Sequence, residues 1–167
     1  MRSVKNLHNQ YITSSGKALG RVTSFFVRRD TYEVSYAVVV PSPETGRTVE
    51  GRVVPVGAGF RINGGSGSVR IQSTIRRLPS MSRLNFYPEQ YISSREILGM
   101  SVLTPKGMIG EVEDLVIEDD TFELRFLIID SAQIFSEKNL LVDAGSIERM
   151  DPANNAVILS QTIDEIR

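Results

Sequence analysis

The chain has 167 residues, a formal net charge of -1 and no cysteine. The length suits one or two small domains, and disulfide or thiol chemistry is closed to it. Met1–Asn6 lacks the apolar core of a signal peptide, and Ala37–Val40 and Leu127–Ile129 are far too short to cross a bilayer, so the expectation is a soluble, cytoplasmic protein. The near-zero charge conceals an asymmetry. Residues 1–83 hold 13 Lys+Arg against 4 Asp+Glu, whereas residues 84–167 hold 6 against 16. A basic half is joined to an acidic half.

The segment Gly20–Val40 (GRVTSFFVRRDTYEVSYAVVV) recurs 90 residues later as Gly110–Asp130 (GEVEDLVIEDDTFELRFLIID), and no gap is needed from Ser3 to Val40. A repeat of this size predicts two units of about 80 residues each. Each can build only a small core, so packing between the units should add to stability.

In chain order, Leu7, Tyr11 and Ile12, aligned with Ile97, Ser101 and Val102, read as a short opening strand and its approach. Ser14-Ser15-Gly16-Lys17 and Thr104-Pro105-Lys106-Gly107 are turns. A strand follows, Leu19–Arg28 and Ile109–Glu118, whose apolar positions break phase between Val112 and Leu115, as between Val22 and Phe25. Keeping both residues inward requires a β-bulge near Glu113-Asp114. Arg29-Asp30-Thr31 and Asp119-Asp120-Thr121 are hairpin tips. Beyond them Phe122, Leu124, Phe126 and Ile128 alternate, as do Tyr32, Val34, Tyr36 and Val38, and are expected to face inward. Ala37–Val40 and Leu127–Ile129 are apolar on both faces, which places this strand at the centre of each unit.

After polar connections at Pro41–Thr48 and Ser131–Lys138 come Val49–Val56 and Asn139–Asp143 as strands. Ala58–Phe60 and Ala144–Ile147 read as one helical turn, and hairpins with tips at Asn63–Gly67 and Asp151–Asn155 close the units. Residues 79–90 form a linker whose Leu84, Phe86 and Tyr87 should be buried between the units, and Gln161–Arg167 reads as a helical turn. Short strands in this number hide their apolar face best as a small closed or partly closed antiparallel barrel. The prediction is therefore all-β, two antiparallel barrels in tandem: residues 1–78, basic, and residues 91–167, acidic.

The residues Leu98–Val102, Lys106-Gly107, Gly110–Ile117, Leu140–Val142 and Ala156–Leu159 resemble the PRC-barrel domain, named for the cytoplasmic part of the photosynthetic reaction centre H subunit and found also in a ribosome-maturation factor. Val53-Val54-Pro55 in the first unit is similar to the valine–proline strand end usual in that family. The resemblance implies a β-barrel that binds other macromolecules and has no common catalytic residue set.

The residues themselves give enzyme chemistry little support. His8 is the only histidine, and with no cysteine it cannot build an ordinary zinc site. The acidic run Glu111, Glu113, Asp114, Glu118, Asp119, Asp120 lacks the spacing and glycine of a calcium loop, and strand alternation scatters it over two faces, so these carboxylates are expected to be solvated. The glycines at 57–67 make turns rather than a phosphate loop, and Ser14, Ser15, Ser66 and Ser68 have no neighbouring base. No catalytic, metal or cofactor site is expected. The arginines carry more information: 11 of the 13 cations of residues 1–83 are arginine, which suits carboxylate and phosphate recognition. Arg28-Arg29 aligns with Glu118-Asp119, so the same tip is basic in one unit and acidic in the other. Arg28, Arg29, Arg76, Arg77, Glu118 and Asp119 are the candidate partner-binding residues. The expected function is a non-enzymatic protein-binding module, an adaptor or assembly factor, with self-association through complementary charge as one form of it. The alternative is an RNA- or ribosome-associated factor gripping phosphates with the basic unit.

Overall fold

Among the described residues the strands form two sheets, each of seven strands laid out in the same order. The computed structural model describes residues 1–41, 51–56, 60–62, 69–70, 80, 89–132, 134 and 139–166. The first half runs β1 (Arg2–Ser3), α1 (Val4–Leu7), β2 (Tyr11–Ser14), β3 (Lys17–Arg28), β4 (Val34–Pro41), β5 (Arg52–Pro55), β6 (Arg61–Ile62) and β7 (Val69–Arg70). The second runs β8 (Tyr91–Ser93), α2 (Ser94–Ile97), β9 (Ser101–Thr104), β10 (Gly107–Ile117), β11 (Leu124–Asp130), β12 (Asn139–Asp143), β13 (Ile147–Asp151), β14 (Ala156–Leu159) and α3 (Ile163–Ile166). The sheet orders are β5-β4-β3-β2-β7-β6 and β12-β11-β10-β9-β14-β13. The all-β architecture is as expected, with one departure from a purely antiparallel barrel: β2 pairs with β7, and β9 with β14, in parallel. A 3₁₀ turn at Ala144–Ser146 carries the chain from β12 into β13 without a hairpin, so the last strand returns beside the first in the same direction.

The opening segments are helical turns rather than strand approaches. Ser3 caps α1 by accepting from the Asn6 N–H, and Ser93 caps α2 within a capping box completed by Glu96. The expected bulges are present: register slips between Val22 and Ser24 and between Val112 and Asp114. A second slip, opposite Phe26/Val27 and Val116/Ile117, corrects the inward set of the following strand. It makes Ser35 and Arg125 extra residues and reverses the phase beyond them. Ala37, Val39, Leu127 and Ile129 are then fully buried, while Tyr36, Phe126 and Ile128 are only half-buried. Tight strand contact beside the first bulge demands glycine. A side chain on Gly110, which has φ +147°, or on Gly20 would overlap the carbonyl of Asp130 or Val40.

The two sheets exchange parts. β1 of the first half pairs with β10 of the second, and β8 of the second half pairs with β3 of the first. Val34 N–H donates to Phe122 O and Leu124 N–H to Tyr32 O, each at 3.0 Å, around a bridge between Glu33 and Glu123. A shift of 90 residues turns each of these pairings into its counterpart, so a pseudo-twofold axis runs between the two glutamates. Tyr32 and Phe122 hold left-handed φ values of 57° and 58°, a conformation that costs a bulky residue about 1 kcal/mol or more. Each is held by the opposite half. The Tyr32 hydroxyl donates to Ile147 O at 3.3 Å, and Phe122 stands edge-on to Phe60 with centroids 5.5 Å apart. One continuous core results, running from Phe25 through Phe60 and Phe122 to Leu127.

The helical turn at Ala144–Ser146 and the turn closing on Asn155 lie where expected, and α3 occupies the C-terminal turn, where Lys106 Nζ donates to Asp164. The connection at 42–48, the turn at 57–59, the tip at 63–67, Leu84, Phe86, Tyr87, Arg76 and Arg77 lie outside the described residues.

Candidate binding surfaces

The hairpin tips present their charges differently. Arg28 forms a two-pronged contact with Asp30 on its own tip, Nε to Oδ1 at 3.0 Å and Nη2 to Oδ2 at 2.7 Å, and this holds the Asp30 carboxyl below its ordinary pKa. Arg29 turns inward: its backbone N–H donates to Gln90 O at 3.0 Å and its Nε to Tyr91 O at 3.2 Å, fixing β8 against the first half. On the acidic tip, Asp119 accepts from Arg2 Nε at 3.3 Å, and Glu118 lies 3.6 Å from Arg125 Nε. Lys5 Nζ lies 3.7 Å from Glu113. Basic residues of the first half thus meet carboxylates of the second along the exchanged strand β1. No ion pair joins the Arg28-Arg29 tip to the Glu118-Asp119 tip among the described residues. Exposed pairs of this kind are each worth at most about 1 kcal/mol.

Below the tips lies a second inversion that the tip alignment did not single out. Across β2, β3 and β4 the residues Tyr11, Arg21 and Val40 share one row. Arg21 stacks over the exposed Tyr11 ring at 4.4 Å and donates to its hydroxyl. Across β9, β10 and β11 the equivalent row is Ser101, Glu111 and Asp130. There a shallow pocket of about 200 Å³ is lined by Met108, Gly110, Glu111, Asp130 and Ile134. The repeat alignment places Arg21 on Glu111, which is the signal that finds these residues.

Asp114 departs from the solvated position expected for the acidic run. It is buried, and it accepts from the Ser3 hydroxyl, from Lys5 N–H at 3.0 Å and from Leu115 N–H at 2.7 Å. Its role is to hold the first turn of α1 across the axis. The equivalent in the first half is Ser24, whose Oγ lies 2.7 Å from Ser93 Oγ.

His8 and Ser94 are in hydrogen-bond contact, Nε2 to Oγ at 3.1 Å, as a base and nucleophile would be. The environment is that of packing. Ser94 is fully buried and its Oγ also accepts from Phe25 N–H at 3.0 Å, while the imidazole stacks on Phe25. Burial, aided by the Arg95 charge, lowers the His8 pKa.

Residues 89–166 match the family of PRC-barrel domains. No curated protein matches the chain. Among solved structures, one described as the 16S ribosomal RNA processing protein RimM of Pseudomonas aeruginosa is 13% identical over 95% of this chain and 98% of its own, with a TM-score of 0.35. Among the described residues, no helix is long and apolar enough to cross a membrane.

Proposed function

We propose that this chain is a non-enzymatic binding module, an adaptor or assembly factor that docks another protein on the outer faces of its two halves. The observation that carries the reading is the charge inversion on one scaffold: Arg21 beside Tyr11 in the first half, Glu111 beside Asp130 in the second. A duplicated frame with opposed outer rows offers two complementary footholds to a partner of mixed charge. The tips would add charge of the same sign to each half, Arg28 and the partly buried Arg29 on the basic side and Glu118 and Asp119 on the acidic side. The one serine–histidine contact is sealed by packing, which supports binding over catalysis.

The second reading is an RNA- or ribosome-associated factor. The exposed Tyr11 ring under Arg21 favours it, because a planar aromatic beside a guanidinium suits an unstacked base and its phosphate. Affinity purification from the native cell, repeated with nuclease and with rising salt, separates the two. A protein partner retained after nuclease treatment and lost when Arg21→Glu is combined with Glu111→Lys supports the main reading. Recovery that nuclease abolishes overturns it in favour of RNA. Partner recovery unchanged by Arg28→Glu with Arg29→Glu removes the basic tip from the surface.

A further inference from the structure

The inversion of Arg21 and Glu111 is one row of a wider contrast between the outer faces of the two halves. In the next row of the first half, Thr13 lies beside Arg70, and Arg70 lies directly opposite Arg61. Both arginines are exposed, although like charges so placed oppose strand pairing. Among the described residues, none of Arg21, Arg61 and Arg70 forms a salt bridge. Tyr11 and Val40 add apolar surface beside Arg21, at 46% and 39% exposure. The equivalent row of the second half is apolar: Met108, 44% exposed, lies beside Leu103, and Leu103 beside Ile158. Next to it stand the exposed carboxylates of Glu111 and Asp130, which form no salt bridge among the described residues either. Both faces are open to solvent, so they do not cover each other within one chain.

We infer that the outer face of the first half takes the outer face of the second half of another copy of this chain. Charge complementarity selects that occupant: the arginines of one copy meet Glu111 and Asp130 of the next, and Tyr11 and Val40 lie against Met108 and Leu103. Tyrosine and arginine anchor such contacts because each brings carbon surface together with hydrogen-bond donors. The contact is heterologous. Each pairing leaves one basic and one acidic face open, so copies either close into a ring or extend. The inference rests on the reading of the outer faces as protein-binding surfaces and names a second copy as their occupant.

The test is sedimentation of the purified full chain over a wide range of concentration, at low and high salt. The expected result is association that grows with concentration and weakens with salt. Arg21→Glu and Glu111→Lys, both at exposed side chains, each weaken association about tenfold or more, because like charges then meet across the contact. Mixing the two variants restores association, since each supplies the face that the other has lost. A chain that stays monomeric at every concentration overturns the inference. So does association that neither reversal weakens, or a loss that mixing does not repair. The reading it rests on is judged separately by the affinity purification. A monomeric chain that retains a nuclease-resistant protein partner loses the inference and keeps that reading. Association repaired by mixing, together with a recovery that nuclease abolishes, keeps the inference and removes the function proposed above.

Discussion

The first and second halves carry the same strand order and the same bulges, yet differ at chosen equivalent positions: Ser24 and Asp114, Arg21 and Glu111, Val53 and Leu141. The shared features are those that geometry dictates. Gly20 and Gly110 sit where a side chain would overlap the neighbouring strand, and Tyr32 and Phe122 sit where each tip docks into the other half. Arg21, Glu111 and Leu141 face solvent, Ser24 and Asp114 line a seam that accepts any well-paired polar group, and Val53 is covered. Duplication therefore preserved the frame and released the outer rows to take opposite charge.

The strongest way to break the comparison is to damage one frame and watch the other. Gly110→Val forces a branched side chain into the Asp130 carbonyl at a φ that side chains rarely adopt, at a cost of about 3 kcal/mol or more. Because β1 belongs to the sheet of the second half and β8 to that of the first, both halves should melt together in one transition. A surviving first half, seen as a second transition by calorimetry, would show that the exchanged strands do not couple them. Next in size is Asp114→Ala, which leaves the Ser3 hydroxyl and the Lys5 and Leu115 amides without their acceptor and should cost about 2–4 kcal/mol. The equivalent Ser24→Ala removes a hydroxyl contact between neutral groups and should cost only about 1 kcal/mol. Urea unfolding of the two variants reads the ratio directly, and equal losses would mean that Asp114 does not anchor α1.

Much of the frame was legible because apolar spacing reports it. The slip between Val112 and Leu115 announced the first bulge, and the ungapped alignment announced the duplication. The second slip escaped because Leu127–Ile129 and Ala37–Val39 are apolar on both faces, so alternation there cannot say which face is inward. The one-turn helices escaped because Val4 and Leu7 supply only a single apolar pair, too little for a period. Strand exchange is invisible in principle. Ser3 and Ser93 occupy equivalent positions, and nothing local says which copy of the long strand either will meet. The charge inversion at the tips was readable, but the tips turn many of those side chains onto the chain itself, as Arg29 does onto Tyr91 O. The freer inversion, Arg21 against Glu111, emerges once the rows across the sheets are known.

A smaller effect comes from His8, whose equivalent in the second half is Leu98. Burial lowers the folded-state pKa of His8 below its ordinary 6.5. Above that value the imidazole is neutral in both states and its packing contributes fully. As pH falls below it, the unfolded chain takes up the proton first, so stability declines until pH passes the folded-state value. His8→Leu should flatten that part of the curve while other acid transitions persist. The check is to compare denaturant midpoints of parent and variant from neutral pH downward; parallel curves would mean that the ring is not protected from water.

The smallest and sharpest test sits on the pseudo-twofold axis. Glu33 and Glu123 face each other across the bridge that joins the halves, both exposed, and like charges directly opposite on a strand pair oppose its formation. The two glutamates are not equally relieved: Glu123 has Arg125 at 3.2 Å, whereas the corresponding neighbour of Glu33 is Ser35. Glu33→Gln should therefore raise the melting temperature by about 2 °C at low salt. Added salt should shrink the gain, because it screens the same repulsion in the parent. Glu123→Gln removes the repulsion and the Arg125 pair together and should gain less. Equal gains from the two substitutions would mean that Arg125 does nothing for Glu123, and the axis would then be symmetric in charge as well as in backbone.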